Sequence, residues 1–276
     1  MTFFTKIYSL SKFTFDCIIK GGFQYIFKYY IFYFIPVIIF RKVKNNNISV
    51  YNVVFPNNSG GWAMIKEVFI DECYKIPENK FYSALDLGGF CGDTGIYFLK
   101  KGIKKIDIFE VQPDLLNLIK ENINNYNKNG LEINIHKKAI GIGSPIELFI
   151  RKELINGDPG ILYENTNNKD IIKINIESEN ILKYLDYDII KMDIEGGEYS
   201  IFKEFINNNI KLKYKLGYIE VHFFKENVNI NYNEFIMFKD YLEKQGYKLE
   251  YEFNKNQIDE MLEKENKIGL LFKFYK

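Results

Sequence analysis

From residue 81 onward, short apolar runs of strand length alternate with segments in which apolar residues recur at helical spacing. The seven candidate strands are residues 82–87, 106–110, 133–138, 188–193, 214–222, 247–253 and 268–275. Helical spacing lies between most of them, over residues 93–101, 113–126, 198–207 and 231–244. This alternation predicts an α/β fold in which a mostly parallel, seven-stranded sheet carries helices on both faces.

A polar insertion interrupts this alternation after the third strand. Two further extended runs, residues 146–150 and 171–176, flank the polar stretch 151–170. Long loops of this kind often form one wall of a binding site. A solvated hairpin tip is the other interpretation of the insertion 146–176, and the sequence leaves both open.

The N-terminal part has a different pattern. An apolar, aromatic run over residues 29–40 has basic residues on both sides. It is too short to cross a membrane, since a transmembrane helix needs about 20 apolar residues. We expect residues 1–50 to be an apolar helical extension before a main domain over residues 51–276. Residues 18–44 either bind a membrane surface that carries anionic lipids or pack on the main domain as a lid.

Charge and cysteine content narrow the classes of function. The formal net charge is +1, from 37 basic and 36 acidic residues, which gives no general attraction to nucleic acid. Cys17, Cys73 and Cys91 lie far apart, without the spacing of a zinc site or a disulfide framework. We therefore expect a protein of the cytoplasm, either free there or peripheral at the inner membrane face.

A glycine-rich turn follows the first predicted strand. Gly88, Gly89 and Gly92 lie between Asp86 and Asp93, which begins the next helix. A dinucleotide site would have the spacing Gly-x-Gly-x-x-Gly, and its pyrophosphate would be repelled by the two acids. The same acids can hold a cationic amino-acid group, which favours S-adenosylmethionine as the ligand.

An acid at the end of the second strand supports this interpretation. Glu110 is placed where a carboxylate can accept hydrogen bonds from the two adjacent hydroxyls of a ribose. Pro113 then begins the next predicted helix. The distance along the chain from the glycine turn to Glu110 is that of one βαβ unit.

Three acids gather after the fourth predicted strand. Asp193, Glu195 and Glu198 surround the glycine pair 196–197, at the carboxyl end of an apolar run. Ligands of open α/β sheets bind at that edge. His222 ends the next strand and belongs to the same edge.

These elements resemble those of the FkbM-type family of S-adenosylmethionine-dependent methyltransferases, over about residues 82–224. The motifs that carry the resemblance are Leu85-Asp86-Leu87-Gly88-Gly89-Phe90-Cys91-Gly92-Asp93-Thr94, Phe109-Glu110-Val111-Gln112-Pro113, Lys138-Ala139-Ile140-Gly141, Lys191-Met192-Asp193-Ile194-Glu195-Gly196-Gly197-Glu198 and Ile219-Glu220-Val221-His222. The resemblance implies a class I, Rossmann-like methyltransferase fold with strand order 3-2-1-4-5-7-6. It also implies methyl transfer to a hydroxyl oxygen, commonly on a sugar or a sugar-containing metabolite.

The site residues are assigned on these grounds. Residues expected to bind the cofactor are Asp86, Gly88, Gly89, Gly92, Asp93, Glu110, Gln112, Ala139 and Asp193. Those expected to contact the acceptor are Lys191, Glu198 and Glu220. An alcohol must lose a proton, and His222 is the preferred base, with Asp193 or Glu195 sharing the work. The acids could also hold a divalent cation, but a metal-free scheme is preferred.

Three rival functions remain to be weighed. The glycine spacing and the two acids disfavour an NAD-dependent oxidoreductase, and the near-neutral charge disfavours a nucleic-acid methyltransferase. A non-catalytic module that binds S-adenosylmethionine would not need the acidic cluster. The leading expectation is an O-methyltransferase that acts on a small-molecule or glycan acceptor.

Overall fold

The computed structural model describes residues 42–44, 47–50, 52–56, 59–126, 129–151 and 171–276. The chain divides into two units, Met1–Cys73 and Tyr74–Lys276. The predicted apolar run 29–40 and nearly all of the insertion 151–170 lie outside the described residues. Among the described residues no helix has the length and apolar character needed to cross a membrane.

The described part of the first unit is a small antiparallel sheet followed by a helix. Its strands are β1 (Lys42–Lys44), β2 (Asn47–Val50) and β3 (Val53–Pro56), in that order. Helix α1 (Ser59–Met64) follows and continues as a π-helix, Ile65–Ile70.

Two features of the first unit differ from the sequence-based expectation. The prediction of helix over residues 1–50 is wrong for β1 and β2. Their β-branched valine and isoleucine residues favour extended backbone, and Asn52 turns the chain with a left-handed φ of 62°. The division between the units also falls after residue 73 rather than after residue 50.

The second unit alternates strands and helices along the chain. Its elements are β4 (Ser83–Leu87), α2 (Asp93–Lys100), β5 (Lys105–Phe109), α3 (Pro113–Asn125), β6 (Glu132–His136), β7 (Ala139–Gly141), β8 (Ile146–Arg151), β9 (Ile171–Ile176), β10 (Ser178–Asn180), a 3₁₀ helix (Ile181–Tyr184), β11 (Ile189–Met192), α4 (Glu198–Asn207), β12 (Leu216–Phe224), a second 3₁₀ helix (Lys225–Asn227), α5 (Val228–Lys244), β13 (Lys248–Glu250), α6 (Lys255–Leu262) and β14 (Lys267–Tyr275).

Seven of these strands form one sheet in the order β13-β14-β12-β11-β4-β5-β6. Numbered along the chain, this is the order 3-2-1-4-5-7-6 that the resemblance implies. β14 runs antiparallel to both of its neighbours, β12 and β13, and the other pairings are parallel. The predicted fold is therefore confirmed.

Several short strands and one helix of the second unit were not predicted correctly from the apolar pattern. β8 and β9 pair with each other in an antiparallel ribbon, and β7 pairs with β10 in parallel. β13 has three residues where the pattern predicted seven. Helix α6 was not predicted, although Asn254 caps it in a capping box with Gln257.

Many of the aromatic residues belong to the core. Phe202 of α4 stacks on Phe238 of α5 with ring centroids 4.0 Å apart, and Phe223 of β12 meets Phe235 of α5 edge to face. All four side chains are fully buried. Their packing covers one face of β12, whose carboxyl end carries His222.

A buried carboxylate ties together the strands at the other side of the sheet. Asp107 of β5 accepts hydrogen bonds from Tyr187, from His136 Nε2 at 2.6 Å and from Asn134 Nδ2 at 3.3 Å. Burial would raise the pKa of Asp107, but the bonds from His136 and Tyr187 outweigh burial and lower it. The carboxylate is therefore ionised and holds β5 against β6.

Replacing this carboxylate should weaken the fold. We expect Asp107→Ala to lower the free energy of unfolding by about 3 kcal/mol, because it leaves buried donors without an acceptor. Asn134→Ala, which removes only the longest of the three bonds, should cost about 1 kcal/mol or less. Urea denaturation of both variants measures the difference, and equal losses would contradict the role of Asp107.

Candidate active site

The parallel register sets charged residues side by side at the carboxyl ends of the central strands. Lys191 of β11 is paired with Asp86 of β4 on one side and with Tyr218 of β12 on the other. Side chains alternate along a strand, so Asp193 follows on the same face as Lys191. β12 extends past the end of β11 and carries Glu220 and His222 beyond that end.

Lys191 is the buried cation of this region, with 3% of its surface exposed. Its Nζ donates a hydrogen bond to Gly88 O at 2.6 Å and lies 3.5 Å from Asp86 Oδ1 and 3.8 Å from Asp193 Oδ2. Its Nζ also lies 5.9 Å from the centre of the Tyr74 ring. Burial would lower the pKa of Lys191, but Asp86 and Asp193 outweigh burial and raise it. Lys191 is therefore charged.

The glycine turn packs directly against the fourth strand. Gly88 has a φ of +78°, and a Cβ there would lie 1.8 Å from Asp193 O, so only glycine fits. Asp193 N in turn donates to Leu87 O at 3.0 Å. Asn122 of α3, fully buried, donates to Cys91 O at 2.7 Å and holds the turn from the other side.

Two buried carboxylates beside the turn have oxygens without a hydrogen-bond partner. Both oxygens of Asp86 and Oδ2 of Asp93 have no hydrogen-bond partner among the described residues. Burial raises the pKa of Asp86 to about 6 and that of Asp93 to about 7, although Lys191 opposes both shifts. Buried polar atoms without partners are costly, and a ligand that is cationic or donates hydrogen bonds would satisfy these oxygens.

Glu110 follows β5 and faces the same turn. Its Oε1 accepts hydrogen bonds from Val111 N at 2.7 Å and Gln112 N at 2.8 Å, and its Oε2 accepts from Phe90 N at 3.0 Å. Burial raises the pKa of Glu110 to about 7, while these bonds hold the pKa down. A carboxylate has about four acceptor positions, so the three bonds leave room for a donor from a ligand.

A second group lies around His222, which is 3% exposed. Its Nδ1 lies 3.2 Å from Glu198 Oε1, which also accepts from Ile194 N at 3.0 Å. Glu198 is fully buried in the first turn of α4, where the helix dipole favours an acid. Glu198 thereby fixes the orientation of the imidazole ring.

The other ring nitrogen faces three acids. His222 Nε2 lies 3.4 Å from Glu195 Oε2, 3.8 Å from Glu220 Oε1 and 3.9 Å from Asp193 Oδ1. Burial would lower the pKa of His222, but Glu198, Glu195 and Asp193 outweigh it and raise the pKa to about 10. The ring is therefore protonated in this state of the protein at neutral pH.

The last strand of the sheet completes this group. Lys267 of β14 forms an ion pair with Glu195 Oε2, and the backbone of Glu195 has a left-handed φ of 60°. Gly269 of β14 is paired with His222, and a Cβ at Gly269 would lie 2.0 Å from Glu220 Oε1. The absence of a side chain at Gly269 gives the carboxylate of Glu220 its place.

The structure thus groups most of the residues selected from sequence. Asp86, Asp93 and Glu110 surround the turn, and Asp193 links them through Lys191 to the group around His222. The backbone N–H of Gln112 donates to Glu110, and that of Ala139 donates to Glu177 O at 3.0 Å. Sequence reasoning missed four contributors to the site, which are Tyr74, Asn122, Lys267 and Gly269.

Comparison with known proteins gives one informative match. A family described as the methyltransferase FkbM domain matches residues 86–249, more than half of the 276 residues. No curated protein sequence matches the chain.

Solved structures resemble this chain only at low identity. M. jannaschii TYW2 in complex with AdoMet is 13% identical, with 85% of this chain and 89% of that chain covered and a TM-score of 0.41. Precorrin-6y C5,15-methyltransferase from Geobacter metallireducens is 12% identical, with coverages of 73% and 84% and a TM-score of 0.35. The M. jannaschii tRNA m1G37 methyltransferase is 12% identical, with coverages of 85% and 53% and a TM-score of 0.38. At these values the likeness carries no information about the acceptor.

The buried lysine is the most sensitive point of this arrangement. We expect Lys191→Met to lower the free energy of unfolding by about 3 to 5 kcal/mol at pH 8, because Asp86 then lacks its counter-ion. The loss should shrink at pH 5, where Asp86 can take up a proton. Lys203→Met, which removes an exposed lysine paired with Glu234 at 2.8 Å, should cost less than about 1 kcal/mol. Thermal and urea denaturation at both pH values measure this, and a loss independent of pH would contradict it.

Proposed function

The chain belongs to the FkbM family of S-adenosylmethionine-dependent methyltransferases, and we propose that it methylates a hydroxyl oxygen of a sugar, glycan, glycolipid or related metabolite. The observation that carries the proposal is the adjacency of two groups. Buried carboxylate oxygens without a hydrogen-bond partner, on Asp86 and Asp93, lie on one side of Asp193, and a histidine surrounded by acids lies on the other. A methyl donor and an acceptor would meet across Asp193.

The residues around the glycine turn fit the proposed cofactor. The unsatisfied oxygens of Asp86 and Asp93 suit the ammonium of its methionine part. Glu110 suits the hydroxyls of its ribose, and the close packing of Gly88 on Asp193 leaves no room for a side chain at that first position of the turn. S-adenosylmethionine supplies a methyl group on a positively charged sulfur, which makes the methyl carbon electrophilic.

Lys191 has a positioning role in this proposal. It was assigned to the acceptor on sequence grounds, but its Nζ binds Gly88 O and lies beside Asp86. Because Lys191 is 3% exposed, we assign it to the turn and to the ionisation of the two aspartates. Glu198 likewise orients His222 from behind rather than binding the acceptor.

The acceptor side is acidic and partly open. Glu195, Glu220 and Asp193 keep 15%, 30% and 23% of their side chains exposed. Carboxylates accept hydrogen bonds from neighbouring hydroxyls, which suits a sugar. Holding an alcohol oxygen in line with the methyl carbon can contribute up to about 7 to 11 kcal/mol.

The same group can receive the proton of the alcohol. A positioned base typically accelerates such a step about 10² to 10⁴-fold. In this proposal Asp193 and Glu195 accept the proton while His222 carries its own, and His222 passes protons between them and solvent. His222, Asp193 and Glu195 therefore share the catalytic role.

The rival functions are less well supported. No described residue group offers the turn spacing of a dinucleotide site, and the acids Asp86 and Asp93 disfavour a pyrophosphate. The net charge of +1 favours a small acceptor over nucleic acid. A binding-only module would not need His222 and its three acids. We place the protein in the cytoplasm, with the surface role of residues 18–44 as a separate hypothesis.

Labelled cofactor identifies the acceptor class. Purified protein is incubated with methyl-labelled S-adenosylmethionine and extract of the source cells, separated into carbohydrate, lipid, protein and RNA fractions. We expect label in carbohydrate or in sugar-containing lipid, stable to the mild base that cleaves methyl esters. Label confined to RNA or protein would overturn the sugar acceptor, and tight cofactor binding without any labelling would favour a binding module.

A variant separates catalysis from cofactor binding in that assay. We expect His222→Asn to slow labelling about 10² to 10⁴-fold, because it removes the proton-carrying ring. The affinity for S-adenosylmethionine, measured by calorimetry, should change only a few-fold, since His222 does not contact the glycine turn. Glu252→Gln, an exposed acid outside the site, is the matched control.

Cofactor affinity should depend on pH. Below pH values of about 6 to 7, Asp86, Asp93 and Glu110 hold protons in the cofactor-free protein, because burial raises their pKa values. Binding an ammonium and a ribose requires the ionised carboxylates, so affinity should rise from pH 6 to pH 8 and then level off. Calorimetry across this range measures the slope, which should be shallower in Glu110→Gln. A flat or falling affinity would contradict the assignment.

A further inference from the structure

His222 and two of its acidic neighbours have the arrangement of a metal-binding group. Asp193, Glu195 and His222 each offer one ligand atom, and these atoms lie within 4.8 Å of one another. With metal–ligand bonds of about 2.1 Å, ligands at right angles lie about 3.0 Å apart and opposed ligands about 4.2 Å apart. The distances from His222 Nε2 to Glu195 Oε2 and Asp193 Oδ1, 3.4 and 3.9 Å, fall between these limits.

Two further observations point to a ligand at this place. Asp193 Oδ1 is buried and has no hydrogen-bond partner among the described residues. The side chain of His222 is 4% exposed, and its Nε2 faces the acids without a hydrogen bond of good geometry among the described residues. An acidic cluster alone is common on protein surfaces, whereas a buried imidazole directed into one is not.

The second ring nitrogen of His222 is held as it is in metal sites. Metal-binding histidines almost always donate the other N–H to a carboxylate or a carbonyl, which fixes the ring. Here Nδ1 lies 3.2 Å from Glu198 Oε1, and Glu198 is fully buried. The tautomer with its proton on Nδ1 leaves Nε2 free to bind a cation.

We propose that Asp193, Glu195 and His222 bind a divalent first-row transition-metal ion such as Mn²⁺, with Glu198 orienting His222. A mixed set of one imidazole and two carboxylates suits such ions better than Ca²⁺ or Mg²⁺, which prefer oxygen ligands alone. Three protein ligands leave coordination positions for water or an acceptor oxygen. This revises the metal-free scheme that the sequence favoured.

Two cations already in the site compete with the metal ion. Lys267 pairs with Glu195 Oε2, and Lys191 lies 3.8 Å from Asp193 Oδ2. Asp193 Oδ1 faces His222 instead, so Asp193 can bridge Lys191 and the metal with different oxygens. Lys267 is 31% exposed and long enough to turn towards solvent when the metal takes its place. The proton on Nε2 must leave when the metal binds.

The role of the ion rests on the proposed function. A bound divalent cation would hold the acceptor hydroxyl and lower its pKa, and the proton of the hydroxyl would then pass to solvent water. In this scheme Asp193, Glu195 and His222 act as metal ligands, in place of the base role that they have without a metal. The binding itself is measured without cofactor or acceptor, so its failure and the failure of methyl transfer are separate results.

Mn²⁺ binding to the full chain tests the site. The protein is stripped with a chelator, dialysed at pH 8 and titrated with Mn²⁺, with free Mn²⁺ followed by electron paramagnetic resonance. We expect one saturable site with a dissociation constant below about 1 mM. Pulsed resonance of bound Mn²⁺ should show coupling to one ¹⁴N nucleus, from His222. Absence of saturable binding, or binding without nitrogen coupling, would overturn the proposal.

Two variants of equal charge distinguish ligation from general attraction. Glu195→Gln removes a ligand, whereas Glu220→Gln removes a carboxylate that lies 3.8 Å from the same Nε2 but outside the ligand group. We expect Glu195→Gln to weaken Mn²⁺ binding by about 10- to 100-fold or more, as loss of a ligand or its partner does elsewhere, and Glu220→Gln to weaken it clearly less. Equal losses would show diffuse attraction and overturn the site. Melting curves of both variants confirm that each is folded.

Discussion

The buried charge of Lys191 is the constraint on which the site depends. Removing a lysine and an aspartate from water costs several kcal/mol per ion, and a pair of this kind seldom stabilises a fold by itself. The pair with Asp86 is compensated by a second bond, from Lys191 Nζ to Gly88 O at 2.6 Å. One side chain thus joins β11 to β4 and positions the glycine turn. Burial raises the pKa values of Asp86 and Asp93, and the positive charge of Lys191 limits that rise. Lys191 therefore favours the ionised form of both carboxylates.

Asp193 divides the site into two electrostatic regions. One carboxylate oxygen is directed towards Lys191 and the other towards His222. On the first side, buried acids outnumber the single cation, so the region is ready for a positive ligand. On the second side, the acids hold a proton on His222 and an ammonium on Lys267. The first region can therefore accept a cation, and the second carries cations that a ligand could replace.

The sequence correctly predicted the grouping of those charged residues that directly follow or end a parallel strand. Parallel strands meet at one edge, so Glu110, Asp193 and His222 could be grouped before their distances were known. It failed for residues that come to the site through the antiparallel register of β14 or from helix α3. Lys267 and Gly269 lie at the site because β14 pairs antiparallel with β12. No local sequence motif predicts that pairing. Asn122 lies in the predicted helix 113–126, but nothing in the sequence pattern indicated that its side chain is fully buried and holds the glycine turn.

The two halves of the site rest on different parts of the sheet. The region around the glycine turn is built from β4, β5 and β11, which are adjacent and parallel. The region around His222 is built from β12, β14 and the segment between β11 and α4, with Gly269 giving room to Glu220 and Lys267 pairing with Glu195. Changes on β14 would therefore alter the surroundings of Glu195 and Glu220 without touching Asp86, Asp93 or Glu110. The antiparallel strand thus sets the shape and charge beside His222, whereas the parallel strands β4, β5 and β11 set those of the glycine turn.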